Sequence, residues 1–192
     1  MHAEPATSIV ILAGGAATRF PGKLEREVGG EPMLLRVYRN ARQSRWPVYV
    51  AGKGSFSPEI DARLECPLLL DRRPGGGPLQ ALLSACGAVD AERIFVLAGD
   101  SPLVDTSVME ALAAAWQPGD EAVVPVHAGR IEPLAGLYAR SAVLHEAFTI
   151  VEHGSGAMHA LIERLNARFV EMPERHFVNV NTPADLARLG AV

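Results

Sequence analysis

A layered α/β fold with a mostly parallel central sheet is what this sequence of 192 residues predicts. Three observations carry the prediction. Short β-branched and aliphatic runs alternate with helix-like segments along the whole chain, the pattern of repeated β-α units. Several of the short runs are continuously apolar, which suits strands covered by helices on both faces. The loops rich in glycine and charge all follow strand candidates. A parallel sheet would bring those loops to its carboxyl edge, where ligands of such sheets bind.

The elements follow in order. Strands are predicted at residues 8–12, 48–51, 68–70, 94–97, 122–125, 134–138 and 168–172, with a last short one at 176–178. The segment 31–43 reads as a helix, with Pro32 early and Leu34, Leu35 and Tyr38 on one apolar face. Further helices are predicted at 78–88, 106–116, 141–149, 155–165 and 183–189. The last has Thr182 as N-cap, Pro183 in its first turn and Asp185 close behind. No repeat, low-complexity tract or linker interrupts the pattern, so residues 1–192 read as a single domain.

Composition narrows the function classes. Hydrophobic residues at 48% and charged residues at 21% are ordinary for a soluble globular chain. A net charge of −4 gives no electrostatic reason to bind nucleic acid. Cys66 and Cys86 stand alone, without metal-ligand spacing, and read as buried thiols of a reducing compartment. No apolar run is long enough for a transmembrane span. The run at 9–13 is too short for a signal sequence, and Glu4 sits where a basic segment belongs. The expectation is a cytoplasmic protein with no membrane partner.

The stretch with most chemistry is Ile9-Val10-Ile11-Leu12-Ala13-Gly14-Gly15-Ala16-Ala17-Thr18-Arg19-Phe20-Pro21-Gly22-Lys23. A buried strand runs into a loop of small residues that carries one Arg and ends at one Lys. Bare backbone N–H groups and two cations are what a triphosphate requires. Arg19 would act as a planar fork and Lys23 as a point charge. Two familiar phosphate loops do not fit. Leu24 follows Gly22-Lys23 where a Walker A loop needs Ser or Thr. Arg19 and Pro21 occupy the stretch where the helix of a dinucleotide fingerprint would begin, and residues 50–54 offer no acidic ribose ligand. A plain glycine turn is the other reading, but such a turn has no use for the Arg and Lys behind it.

A second strand candidate delivers Asp100 in Leu97-Ala98-Gly99-Asp100-Ser101-Pro102. An acidic residue there can bind magnesium, with water and substrate phosphates completing the shell; capping a following turn is the alternative. A third delivers Asp71 ahead of Pro74-Gly75-Gly76-Gly77-Pro78-Leu79, a glycine loop that opens a helix or simply turns at the surface. A fourth motif, Asn179-Val180-Asn181-Thr182-Pro183-Ala184-Asp185-Leu186, can serve a ligand or satisfy its own loop backbone.

Taken together, these four motifs and the softer Pro133-Leu134-Ala135-Gly136-Leu137-Tyr138 resemble, in order and over nearly the whole chain, the MobA-like nucleotidyltransferases that guanylate molybdopterin. The resemblance implies a Rossmann-like three-layer α/β/α domain of the nucleotide-diphospho-sugar transferase type. It implies GMP transfer from GTP to molybdopterin, with release of pyrophosphate and with Mg2+ as cofactor. Leu12, Ala13, Gly14, Gly15, Lys23, Asp71, Gly77 and Asp100 would bind the nucleotide. Lys23, Arg19 and Asp100 would be catalytic, and Asp100 with Asn181 would hold the metal, Asn179 orienting the shell.

The segment around 127–156 would face the acceptor. His127, Arg130, His153 and Ser155 are candidates there, with ordinary surface positions as the plainer reading of each. This sequence departs from the family pattern in a shorter loop from Arg19 to Lys23, in Gln80-Ala81 where Ala-Gly is usual, and in lacking an Asn within 50–54. Ala13-Gly14-Gly15, rather than the Ala-Ala-Gly of cytidylyl enzymes, favours GTP. The acceptor phosphate is already a nucleophile at neutral pH, so the chemistry needs no catalytic base. Gly154-Ser155-Gly156 is accordingly no nucleophile elbow. The alternatives are a related transferase using CTP or a sugar or alditol phosphate, and a nucleotide-binding protein without turnover. Transient contact with molybdopterin-delivering proteins would suit an unstable acceptor.

Overall fold

The computed structural model describes residues 6–14, 22–52, 54–70 and 75–189. In chain order the elements are β1 (Thr7–Leu12), β2 (Glu27–Val28), β3 (Glu31–Pro32), α1 (Met33–Arg42), β4 (Val48–Gly52), α2 (Pro58–Arg63), β5 (Leu68–Leu70) and α3 (Gly77–Cys86). They continue with β6 (Arg93–Ala98), α4 (Thr106–Ala115), β7 (Ala122–His127), β8 (Arg130–Ile131), β9 (Leu137–Ala139), α5 (Arg140–Glu152), α6 (Met158–Ile162), β10 (Ala167–Glu171) and α7 (Pro183–Leu189).

One sheet runs in the order β10-β7-β9-β6-β1-β4-β5, with β8 paired to β7. β1 lies parallel between β4 and β6, while β9 is antiparallel to both β6 and β7. The sheet is therefore mostly parallel, as predicted. Its strands point alternate residues into two separate cores. Val10 and Leu12 pack with α3, α5 and α6 on one face; Ile9 and Ile11 pack with α1, α2 and α4 on the other. Burial on both faces explains why these strands read as unbroken apolar runs. The result is the three-layer α/β/α arrangement that the sequence predicted.

Expectations at three places near the site are corrected first. The strand at 134–138 begins only at Leu137, because Pro133–Ala135 forms a 3-10 turn. The buried Tyr138 hydroxyl donates to the Pro133 carbonyl at 2.6 Å and holds that turn closed. No strand forms at 176–178. Glu174–His176 is another 3-10 turn, and the chain beyond it bonds to the Asp100 backbone instead of a strand, through Val180 N–H at 3.1 Å. The first helix starts at Met33, since Glu31–Pro32 pairs antiparallel with Glu27–Val28. Gly29 and Gly30 make that hairpin with φ of 62° and 82°, conformations glycine adopts without steric cost. The short helix α2 was missed: it buries Ile60 alone, too little for an apolar period to register.

Candidate active site

The parallel strands β1, β4 and β6 end side by side. Ala13 N–H donates to the Ala51 carbonyl at 2.7 Å, and Gly99 N–H to the Leu12 carbonyl at 3.0 Å. A Cβ on Gly99 would lie 3.2 Å from the Leu12 oxygen and 3.5 Å from the Ala13 Cα. Glycine there lets the ends of β1 and β6 approach while the backbone carries on to Asp100. On the other arm of the site, Gly22 adopts φ 66° and turns the chain into a 3-10 turn, Lys23–Glu25, that presents Lys23.

Lys23, Asp100 and Asn181 then meet. The Lys23 ammonium pairs with Asp100 Oδ2, and it donates to Asn181 Oδ1 at 3.2 Å. Both side chains of the ion pair are 18% exposed, so the pair is partly withdrawn from water. The 179–181 segment is pinned from three sides. Ser101 Oγ donates to Asn179 Oδ1 at 2.6 Å, Val180 bonds the Asp100 carbonyl, and Asp185 Oδ2 accepts from Asn181 N–H at 3.1 Å. Asp185 also accepts from Thr182 N–H, while Thr182 Oγ1 accepts from Asp185 N–H, a reciprocal cap at the start of α7. The Thr182 hydroxyl, which donates to Asp185 Oδ2 at 2.9 Å, and then the backbone N–H bonds hold the Asp185 carboxyl below the usual carboxylate range. Thr182 thus caps, as expected, while both asparagine side chains reach across to the site and away from their own loop.

A carboxylate oxygen and an amide oxygen converge on one cation here. Hard oxygen donors of that kind suit Mg2+. Among the described residues no cluster of three or more His, Cys, Asp or Glu could hold a metal.

A cavity of about 370 Å³ opens beside the pair, lined by Leu12, Ala13, Gly14, Lys23, Gly77 and Asp100 among others. The sequence-predicted nucleotide residues that fall in the described part of the chain thus share one cavity. Gly15, Arg19 and Asp71 lie outside the described residues. Gly77 has φ 83°, and a Cβ there would stand 2.9 Å from the Gly156 carbonyl oxygen. Of the departures at 80–81, Gln80 is buried and bonds Ser84 within α3, so only the Ala81 methyl reaches the cavity wall.

A second cavity of about 410 Å³ adjoins the first and shares Pro78, Ala98, Asp100 and Leu134 with it. Its remaining walls include Glu132, Met158, His159, Phe177, Asn179 and Asn181. The acceptor-side candidates fare unevenly. Arg130 is exposed and His153 bonds the Thr149 carbonyl at the end of α5; neither lines the cavity, and Ser155 accepts weakly from Ala157 N–H. His127 is no surface residue. It is buried, its ring stacked on Phe177 and its Nε2 2.8 Å from Glu132 Oε1. Sequence reading missed Glu132, Met158, His159 and Phe177, which come from three separate segments. The one available signal was Glu132 directly before the Pro-Leu-x-Gly-Leu-Tyr motif.

The cysteines are free. Cys86 is buried, its thiol pushed up to about 12 by burial, and Cys66 is half-buried and likewise raised by burial. Neither touches the site.

A sheet edge with two adjoining cavities and a lysine–aspartate pair between strand ends is the geometry of a nucleotide-handling protein of the α/β class. Residues 9–169 match the MobA-like NTP transferase domain. The chain belongs to this family of nucleotidyltransferases. A Mycobacterium avium (strain 104) protein named as a probable molybdenum cofactor guanylyltransferase is 33% identical over 189 residues, covering 94% of this chain and 93% of that one. The crystal structure of molybdopterin-guanine dinucleotide biosynthesis protein A from Archaeoglobus fulgidus superposes with a TM-score of 0.80 at 25% identity, covering 96% of this chain and 97% of that one. A 4-diphosphocytidyl-2C-methyl-D-erythritol synthase from Anaerococcus prevotii reaches the same TM-score at 12% identity, with 98% and 96% covered, and shares the fold. No helix among the described residues is long and apolar enough to cross a membrane.

Proposed function

We propose that the protein transfers GMP from GTP to molybdopterin and releases pyrophosphate. The observation that carries this reading is the pair of contiguous cavities meeting at Asp100. GTP would occupy the first, its phosphates against Lys23 and the backbone of the 13–14 loop. The acceptor would occupy the second, its terminal phosphate beside Asn181. A phosphate oxygen from the second side can then approach the α-phosphate from behind, opposite the departing pyrophosphate. That oxygen is anionic at neutral pH, so the transfer needs no base to activate it. The relatives named for guanylyl transfer, and Ala13-Gly14-Gly15, support GTP over CTP.

Asp100 and Asn181 would hold Mg2+, which supplies neutralisation of the charge on the leaving pyrophosphate. Lys23 is displaced toward phosphate as the nucleotide enters, its ion pair exchanged for phosphate contacts. Gly15 and Asp71 keep the nucleotide-binding roles, and Arg19 the catalytic role on phosphate, that the family resemblance gives them. Catalysis is positioning and charge stabilisation. A cytoplasmic enzyme receiving its unstable acceptor by transient protein contact fits this chemistry.

The test is pyrophosphate release with Mg2+, molybdopterin and each of GTP, CTP, ATP and UTP in turn. Release that needs the acceptor and is specific to GTP is the expected result. Release with CTP alone would replace the guanylyl reading with a cytidylyl one. Absence of release with every nucleotide would leave a binding protein.

A further inference from the structure

The second cavity contains a carboxylate that no step of the proposed transfer uses. Glu132 lines it together with Ile131, Pro133, Met158 and Phe177. These walls are apolar and one is an aromatic ring, which suits a flat heterocycle better than a hydrated sugar. A lone carboxylate repels phosphate. An acceptor therefore enters with its phosphate toward Lys23 and Asn181, and with a donor-bearing end toward Glu132.

The carboxylate is held in place. His127 donates through Nε2 to Glu132 Oε1 at 2.8 Å, and its ring stacks on Phe177 with centroids 5.1 Å apart and planes 11° from parallel. His127 is only 5% exposed, and its Nδ1 is buried without a hydrogen-bond partner among the described residues. Glu132 Oε2 takes no hydrogen bond among the described residues, and Oε1 retains a second lone pair.

We propose that Glu132 is the residue that selects the acceptor by its heterocycle, accepting the two adjacent N–H donors of a 2-amino-4-oxo pyrimidine edge, with His127 as its positioning residue. The proposal rests on reading this cavity as the acceptor site. Such an edge offers two parallel donors to two oxygens, the carboxylate counterpart of the arginine fork. Sugar and alditol phosphates carry hydroxyls but no such edge.

The test uses two fluorescent probes, 6-hydroxymethylpterin and 6-hydroxymethyllumazine, which differ in replacing the 2-amino donor by a carbonyl. Wild-type protein is expected to bind the pterin on the order of 10- to 100-fold more tightly, as a hydrogen bond to a charged group predicts. Glu132→Gln brings that ratio near one while leaving GTP-induced thermal stabilisation intact. His127→Leu lowers the ratio several-fold, a change that simple loosening of the fold would not produce, since both probes would then suffer alike. A ratio near one in the wild type, or an unchanged ratio in Glu132→Gln, overturns the proposal. Failure of GTP to stabilise the wild type would count against the guanylyl reading, and the probe ratio would still decide the role of Glu132.

Discussion

Lys23 and Asp100 neutralise each other across 77 positions of sequence, and that pairing shapes what each can do. The ammonium, held by a carboxylate and an amide oxygen beside the first cavity, exchanges those partners for phosphate when the nucleotide arrives. Removing either partner leaves the other charge partly withdrawn from water and uncompensated. Lys23→Ala and Asp100→Ala are each expected to slow GMP transfer on the order of 10²-fold or more, comparable to deleting one preorganised charge-stabilising group. Steady-state kinetics at saturating GTP and magnesium measure it. Near-normal turnover in Asp100→Ala would remove the metal-ligand role. These two residues, with Asn181, were legible in the sequence because each sits in a local motif at the end of a strand or ahead of a capped helix. Glu132 and Phe177 were not, since the motif that follows Glu132 does not show its pairing with a histidine five residues away across a hairpin, nor the stacking of Phe177 on that histidine.

The elements around the site meet through glycine. The loop before α6 seats on the N-terminus of α3, where Leu79 N–H donates to the Gly156 carbonyl at 3.2 Å. A Cβ on Gly156 would fall 2.2 Å from the Gly76 carbonyl oxygen, a distance only backbone movement can relieve. This contact couples the two cavities, because Gly77 and Pro78 line the first while Pro78, Ala157 and Met158 line the second. Gly156→Ala should therefore cost about 1–3 kcal/mol of stability, the range for overpacking, and also weaken GTP binding. Denaturant melts and nucleotide titration test both parts; a loss of stability with GTP affinity unchanged would confine the contact to folding. The same contact explains why the helix predicted at 155–165 contracts to Met158–Ile162. Periodicity anticipates the apolar face of a helix, but not a neighbouring loop that holds its first turn extended. Likewise the strands flanked on both faces were legible from apolar runs alone. The 176–178 segment, equally apolar at Phe177 and Val178, instead stacks Phe177 on the His127 ring and packs Val178 with Val28, Met33 and Val180.

At the scale of the molecule, a ligand that binds the carboxyl edge of the sheet bridges both cores. The edge gathers the ends of β1 and β6, whose residues feed both packing layers, together with the start of α3. Binding there opposes global unfolding and not merely local opening. Ligand present at 100 times its dissociation constant adds about 2.7 kcal/mol to stability by mass action. For a chain of this size that corresponds to roughly 5–10 °C in melting temperature. GTP with magnesium is expected to produce this shift, and CTP, ATP and UTP much less. Magnesium alone should do little, because the Lys23 ammonium already serves the oxygens of Asp100 and Asn181 and must be displaced. The nucleotide changes that balance by giving the ammonium a phosphate to bind, which frees the two oxygens for the metal. Stabilisation by GTP and magnesium together should then exceed the sum of their separate effects. Asp100→Asn should abolish that excess while keeping part of the shift from GTP alone. Strictly additive shifts in the wild type would mean that Lys23 and the metal do not compete for the same oxygens, and the exchange proposed here would fail.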